Sequence, residues 1–536
     1  MASRQDKVQS DTSDKNMADP KLGKGIQVLV PNPDHTFTLN EEELEKLFLS
    51  EDVKDCPAVV ISIAGAFRKG KSFLLSFFLR YMHQRYNLRS AGSEWLGKEG
   101  EPLEGFSWRG GSERHTTGLL FWSQPFIATL DSGEKVVIYL MDTQGTFDSQ
   151  STVKDNATVF AISTMLSSVQ IYNLSVNIEE DDLQHLQLFT DYGRLALESS
   201  GGKPFQRLQL LVRDWSFPYD YAYGDEGGRQ LLAKRLAISE NQHHELQSLR
   251  KHIISCFEEI ACFLMPHPGL TVATNPNFKG DLTDISDEFK QCLKQFVPML
   301  TAPENLIIKK IGGQKVKAKD MMLYFKSYMN IFNGSTLPEP KTILEATAEA
   351  NNLSAVAEAK EVYERLMEEV AGGAKPYLSP GMLATEHRRA RDKALHSFHS
   401  KKKMGGDEFS DRYSEKLTKE LDEQYEEYRL RNDDKNVLRR LGTALVLAGA
   451  ALAAWLLALC AGVLGLAAVE LLANTAAIAC VILLILWGYS RATGNLAELT
   501  QILDENAIMV LDAFSKQVGQ QMLAADYDKS TDKKQS

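Results

Sequence analysis

The chain has 536 residues, 43% hydrophobic and 24% charged, with a formal net charge of −11. That length suits two or three domains rather than one, and the composition excludes an intrinsically disordered chain. The acidic balance argues against a nucleic-acid binder, which needs a basic face. The six cysteines (Cys56, Cys256, Cys262, Cys292, Cys460, Cys480) show no C-x-x-C spacing. This speaks against a zinc site or a disulfide framework and for a reducing compartment.

Residues 1–24 are polar, lack the apolar core of a signal peptide and read as a disordered tail. Residues 25–332 alternate strand-like and helix-like stretches. "AVVISIAG" predicts a buried strand, and "SFLLSFFLRYMHQRY" a helix after a glycine loop. "GLLFWSQPFI" and "KVVIYLMD", separated by "DSGEK", predict a hairpin; "SSVQIYNL", "RLQLLVRD" and "CFLMP" predict later strands. The order implies a mostly parallel sheet with helices on both faces and one antiparallel hairpin, the arrangement of Ras-like nucleotide-binding domains.

"NGSTLPEPK", residues 333–341, has the composition of a linker, and residues 342–435 read as helix only. Glycine pairs at 372–373 and 405–406 separate three helical patterns, the second opened by serine and proline. Phe409, Tyr413, Leu417, Leu421, Tyr425 and Tyr428 share one side of the third. Three such helices, each roughly 35–40 Å long, can bury their stripes as a bundle. From Leu441 to Tyr489 the only charge is Glu470. A bilayer core takes about 20 helical residues, so the segment suffices for two passes, with "VELLAN", residues 469–474, as the polar break. Arg439, Arg440 and Arg491 flank it and place both outer ends on the cytosolic side. In the cytosolic stretch 490–536, Leu496, Leu499, Leu503, Val510, Phe514, Val518 and Met522 recur at helical spacing. Such a face can lie in a membrane interface or pack on another helix, and its polar side is acidic.

"GAFRKGKS", residues 65–72, fits the phosphate-loop pattern between a strand and a helix. Loop N–H groups would surround a β-phosphate, Lys71 would reach the β and γ oxygens, and the Ser72 hydroxyl would face Mg²⁺. "MDTQG", residues 141–145, supplies Asp142 for the metal, through water, and the Gly145 N–H for the γ-phosphate. "RGGSERHTTG", residues 109–118, is suited to a switch, and one of its threonines, Thr116 in first place, would complete the metal shell. In "LLVRDW" the Asp214 carboxylate can accept two hydrogen bonds from guanine N1–H and N2–H₂, a donor pair that adenine lacks; Arg213 could cover the base plane. Arg68 stands in the variable part of the loop, and its position leaves two directions open, toward phosphates or toward an acidic loop residue. The acidic "IEEDDLQHLQLF" reads as helix-dipole complement rather than a metal cluster, and "HPG", 267–269, as a loop near the base.

Together "GAFRKGKS", "RGGSERHTTG", "MDTQGTFDSQST", "VRDWSFP" and "ATAEANNLSAV" resemble the atlastins, dynamin-related GTPases that fuse endoplasmic reticulum tubules. Guanylate-binding proteins share the R-D guanine motif. The resemblance implies a dynamin-type GTPase domain, then a three-helix bundle and a transmembrane hairpin. It implies nucleotide contacts along Arg68, Lys69, Gly70, Lys71, Ser72 and Phe73 and at Asp142, Gly145, Arg213 and Asp214. Arg68, Lys71 and Thr116 would be catalytic, with Arg68 an arginine finger in cis; Ser72, Thr116 and Asp142 would hold Mg²⁺. It also implies homodimers in cis and in trans, contact with the bilayer and with tubule-shaping membrane proteins, and an endoplasmic reticulum location with cytosolic termini. The terminal Lys533-Lys534-Gln535-Ser536 resembles a dilysine retrieval signal as much as a solubilising end. A GTP-gated tether or shaping scaffold without fusion is the alternative. A lipid-anchored guanylate-binding enzyme fits less well, because "DKKQS" is no prenylation box.

Overall fold

The computed structural model describes residues 23–513 apart from 90–93, 109–115, 146–151, 335, 374, 436, 494–497, 499, 508 and 512. The chain divides into two compact units, one of residues 1–359 with 397–416, the other of 360–396 with 417–536.

The first unit is built on a nine-stranded sheet. Its strands are β1 (Gly25–Pro31), β2 (Phe37–Leu39), β3 (Ala58–Gly65), β4 (Leu119–Trp122), β5 (Phe126–Thr129), β6 (Lys135–Thr143), β7 (Val169–Ser175), β8 (Phe205–Arg213) and β9 (Phe257–Leu264). They run in the order β2-β1-β4-β6-β3-β7-β8-β9, with β5 beside β6. The central pairs β6-β3, β3-β7, β7-β8 and β8-β9 are parallel. Every residue of β3 is buried, as a central strand covered on both faces requires, which is why it reads as a continuous apolar run. Alternate residues feed two cores: Val60, Tyr139 and Phe325 on one face, Ile61, Phe77 and Phe296 on the other.

The sheet carries more antiparallel pairing than one hairpin. β1 pairs antiparallel with β2 and β4, β4 with β6, and β5 with β6. The predicted strand "GLLFWSQPFI" breaks into β4 and β5 around Ser123–Pro125, where proline cannot donate to the ladder. The helix Ala318–Phe332 packs its Met321, Phe325 and Tyr328 into the same core, and the helix Pro340–Ala371 begins beyond it.

In the second unit, helices Pro340–Ala371, Pro380–Ser400 and Asp407–Asp434 bring their distal parts together. Tyr363, Met367, Leu383, Ala394, Leu417 and Leu421 are buried. The Tyr363 hydroxyl meets His387 Nδ1 at 2.8 Å, and the Tyr425 ring stacks on His387 with centroids 4.2 Å apart. Helices Val437–Val463 and Ala467–Thr493 follow as an antiparallel pair. Their apolar spans Leu441–Val463 and Ala467–Arg491 are long enough to cross a bilayer, and only 11% of each apolar window is buried. A soluble core helix would be mostly covered, so these surfaces call for lipid. The reversal lies at Leu464–Leu466, not at "VELLAN": Gly465 takes a left-handed φ of 72°, while Glu470 sits in the first turn of the second helix. A carboxylate is favoured at a helix N-terminus, so the polar residues fall inside the helix and glycine makes the turn.

Candidate nucleotide-binding site

The site lies at the C-terminal ends of β3, β6 and β8, where successive parallel strands leave β3 in opposite directions; open α/β sheets bind ligands there. β3 ends at Gly65, and the loop to the helix Lys71–Met82 turns at Gly70, whose φ is 69°. The helix N-terminus and its free N–H groups therefore face a cavity of about 400 Å³. Lys71 is 7% exposed, and its ammonium donates to the Gly65 and Ala66 carbonyls at 3.1 Å each. Burial pulls its pKa down to about 8, partly offset by Asp142.

Three of the predicted residues converge beside it. Ser72 Oγ donates to Asp142 Oδ2 at 2.5 Å and stands 3.1 Å from Thr116 Oγ1. Asp142 is fully buried, and burial raises its carboxyl to about 6 against the opposing pull of Ser72 and Lys71. Its Oδ1 finds no hydrogen-bond partner among the described residues. A buried carboxylate oxygen left unpaired is costly. An all-oxygen set of two hydroxyls and one carboxylate suits a hard divalent cation that keeps its waters. The residues present thus fit Mg²⁺.

Gly145 follows β6 and passes so close to the loop that a Cβ there would fall 2.4 Å from Phe67 Cα. Arg68 is exposed at the cavity rim with a left-handed φ of 59°, its guanidinium 5.6 Å from the Phe67 ring centroid. Lys69 and Phe73 also line the cavity, but the Phe73 ring turns into the aromatic core, edge-on to Phe77 at 5.2 Å. Its backbone N–H is what the helix start presents. Asp214 directly follows β8 with φ 60°, a conformation aspartate tolerates better than most residues, and lines the cavity.

Arg213 makes contacts of its own with the phosphate loop. It is 3% exposed; its guanidinium donates to the Lys69 carbonyl at 3.2 Å and lies 5.4 Å from the Phe289 ring centroid. It braces the phosphate loop and lines the same cavity as Asp214. Asn173 adds a second brace, its side-chain amide donating to Lys69 O at 3.2 Å.

Two further features were not read from the sequence. Gln144 ties the end of the switch loop to β6: its Oε1 accepts from Gly118 N–H, and its own N–H donates to Gly118 O, both at 2.9 Å. Trp108 and Phe278 form an aromatic wall against Phe73, with Trp108 5.0 Å and Phe278 5.9 Å from its centroid. Both sit in irregular segments whose periodicity carries no signal. His267 and Pro268 line the cavity too. In "IEEDDLQHLQLF", Asp182 closes a capping box with Glu179, and Glu180 pairs with the buried Arg250. Of the switch loop only Thr116–Gly118 is described; Thr146, residues 109–115 and the terminal dilysine lie outside the described residues.

The guanylate-binding protein N-terminal domain model matches residues 34–310, and the guanylate-binding protein C-terminal domain model matches 312–439. The chain is 55% identical over 496 residues to an atlastin of Drosophila melanogaster, covering 92% of each protein. It is 52% identical to atlastin-1 of Bos taurus, over 91% of this chain and 86% of that one. It is 50% identical to atlastin-2 of Homo sapiens, over 92% and 84%. At this identity and coverage, with the phosphate loop, buried Asp142 and two apolar helices in place, the chain belongs to the atlastin family of dynamin-superfamily GTPases.

Proposed function

We infer that this GTPase tethers endoplasmic reticulum membranes through nucleotide-dependent homodimers and drives their homotypic fusion. The observation that carries the chemistry is the convergence of Ser72, Thr116 and Asp142 oxygens beside the buried Lys71 ammonium. Lys71 holds the β and γ oxygens, and the N–H groups of Gly70–Phe73 surround the β-phosphate. Magnesium, held by Ser72 and Thr116 and through water by Asp142, would neutralise phosphate charge. Asp214 accepts from guanine N1–H and N2–H₂. Arg68, exposed at the rim, swings onto the phosphates as the β–γ bond breaks.

The residues 333–341 act as the linker between the GTPase domain, 25–332, and the helical arm, 342–435. Release of phosphate loosens the switch loops, and the arm moves against the GTPase domain to draw apposed hairpins together. Both termini are cytosolic, since Arg491 stands at the outer end of the second span.

The test uses the full chain in two populations of liposomes, one carrying a quenched lipid dye. Lipid mixing with Mg·GTP, and none with Mg·ATP, is expected. Clustering of vesicles without dye dequenching would leave a tether and sink fusion.

A further inference from the structure

The acidic cytosolic segment after the hairpin is the feature that the fusion scheme leaves unexplained. An interfacial helix is ordinarily basic, because membranes are anionic, yet this one carries Glu498, Asp504 and Glu505. Residues 500–507 are helical. Asp504 is where the acidity goes. Its Oδ1 accepts from the Trp487 indole N–H at 2.8 Å and from the Thr443 hydroxyl; its Oδ2 accepts from the Arg491 guanidinium at 2.8 Å. Thr443 belongs to the first membrane helix, Trp487 and Arg491 to the second. One carboxylate thus closes both helices at the same end, and Arg491 also lies 5.7 Å from the Trp487 ring centroid.

The neighbouring contacts follow the same face. Thr500 donates to the buried Ser490 hydroxyl at 2.5 Å. Ala507 is 4% exposed, and a Cβ on Gly442 would fall 2.7 Å from the Leu511 side chain. Thr500, Asp504, Ala507 and Leu511 are spaced by four, three and four, one stripe of a helix. At 100° per residue, the apolar stripe of Leu503 and Val510 is centred roughly 80° away. The two stripes do not compete for one surface. Docking by the first leaves the second turned outward, with Val510 53% exposed.

We propose that Asp504, with Thr443, Trp487 and Arg491, forms a clasp that docks the tail helix on the cytosolic end of the membrane hairpin. The clasp fixes the helix in depth and rotation, so that its apolar stripe enters the lipid beside the hairpin. The acidic side chain is answered by Arg491 and not by lipid, which accounts for a charge unsuited to free membrane binding. The occupant of the hairpin end is this chain's own tail, and its effect on fusion rests on the function proposed above.

The test is a Ser490→Cys/Thr500→Cys pair in the full chain, reconstituted in liposomes and treated with copper phenanthroline. Their side chains are in contact, within reach of a disulfide; single-cysteine variants control for Cys460 and Cys480. The intramolecular link is expected in most molecules. It should fall at least fivefold with Asp504→Ala and with Arg491→Ala, and return toward the original yield with Arg491→Lys. Absence of the link, or a yield indifferent to Asp504, overturns the clasp. Asp504→Ala alone should slow lipid mixing at least threefold with GTP hydrolysis unchanged, and the disulfide should restore it. A lock that abolishes mixing, or a variant that mixes at full rate, overturns the orienting role. Failure of the unaltered chain to mix lipids would sink the fusion reading instead, while the cross-linking yield still decides the clasp.

Discussion

The phosphate loop and the membrane hairpin both reverse the chain at a left-handed glycine, Gly70 at φ 69° and Gly465 at φ 72°, and then use the next helix in opposite ways. After Gly70 the polar atoms are taken out of water: Lys71 and Asp142 are buried, and a helix N-terminus opens on a cavity. After Gly465 it is the apolar atoms that stay out of the protein, with Leu471, Leu472 and Ile485 each at least 65% exposed. Each region presents groups suited to a different partner, phosphate charge in one and hydrocarbon in the other. The contrast teaches that burial alone does not separate core from function; what matters is whether the buried or exposed group has an answer within the chain.

The comparison breaks first at Lys71. If its ammonium is the answer to phosphate charge, Lys71→Ala should weaken GTP binding by about 3 kcal/mol or more, on the order of 10²-fold, since charged hydrogen bonds are lost to buried oxygens. Titration with a fluorescent GTP analogue measures this, and unchanged affinity would mean that the loop does not hold phosphate. In the hairpin the corresponding break is Leu452→Arg, at a position 57% exposed near the middle of the first span. A charge there costs about 2.5–3.5 kcal/mol of insertion free energy. The variant should appear in the alkali-extractable fraction while its GTP hydrolysis persists; full integration would argue that the span does not face lipid.

The two regions also differ in how far residues alone disclosed them. The phosphate loop was legible because its glycines and Lys71-Ser72 act at fixed short spacing, each set by local backbone geometry. The direction of Arg213 was not, because it depends on Phe289, which arrives from a helix 76 residues later. Trp108 and Phe278 escaped for the same reason: their meeting is tertiary. β1 and the short edge strand β2 were overlooked, although Gly25–Pro31 supplies the bridge to β4 that makes half the sheet antiparallel. In the hairpin, composition sufficed for existence and length. It misplaced the turn, since hydropathy points to Glu470 and Asn474 while chain reversal is decided by the φ open to Gly465.

Arg68 sharpens the contrast within the pocket itself. Unlike Lys71 it is exposed and carries a strained φ of 59°, so binding should not depend on it. Arg68→Ala is expected to leave GTP affinity within about twofold, yet lower single-turnover hydrolysis by more than tenfold, about 1.4 kcal/mol. A mutant that hydrolyses at the original rate would remove the finger role; one that fails to bind would make Arg68 a ground-state ligand.

The smallest effects are those of pH, and they test whether the pocket's polar atoms lack an answer in the chain. Burial raises Asp142 to about 6 and lowers Lys71 to about 8, so both are charged between those values. Affinity for Mg·GTP should be flat across that window and decline on either side, by up to tenfold per unit of pH, as the carboxylate gains a proton or the ammonium loses one. Folding stability without nucleotide should run the other way. For Asp142 the folded state binds the proton more tightly than the unfolded chain, so stability falls as pH rises from about 4 to 6. For Lys71 the unfolded chain holds the proton more tightly, so stability rises again from about 8 to 10. A shallow minimum in the melting temperature is therefore expected at pH 6–8, reduced in Asp142→Asn and in Lys71→Met and filled in by Mg·GTP. If the minimum persists in both variants, the pocket's charges are already balanced by the protein, and the parallel with lipid-seeking leucines fails.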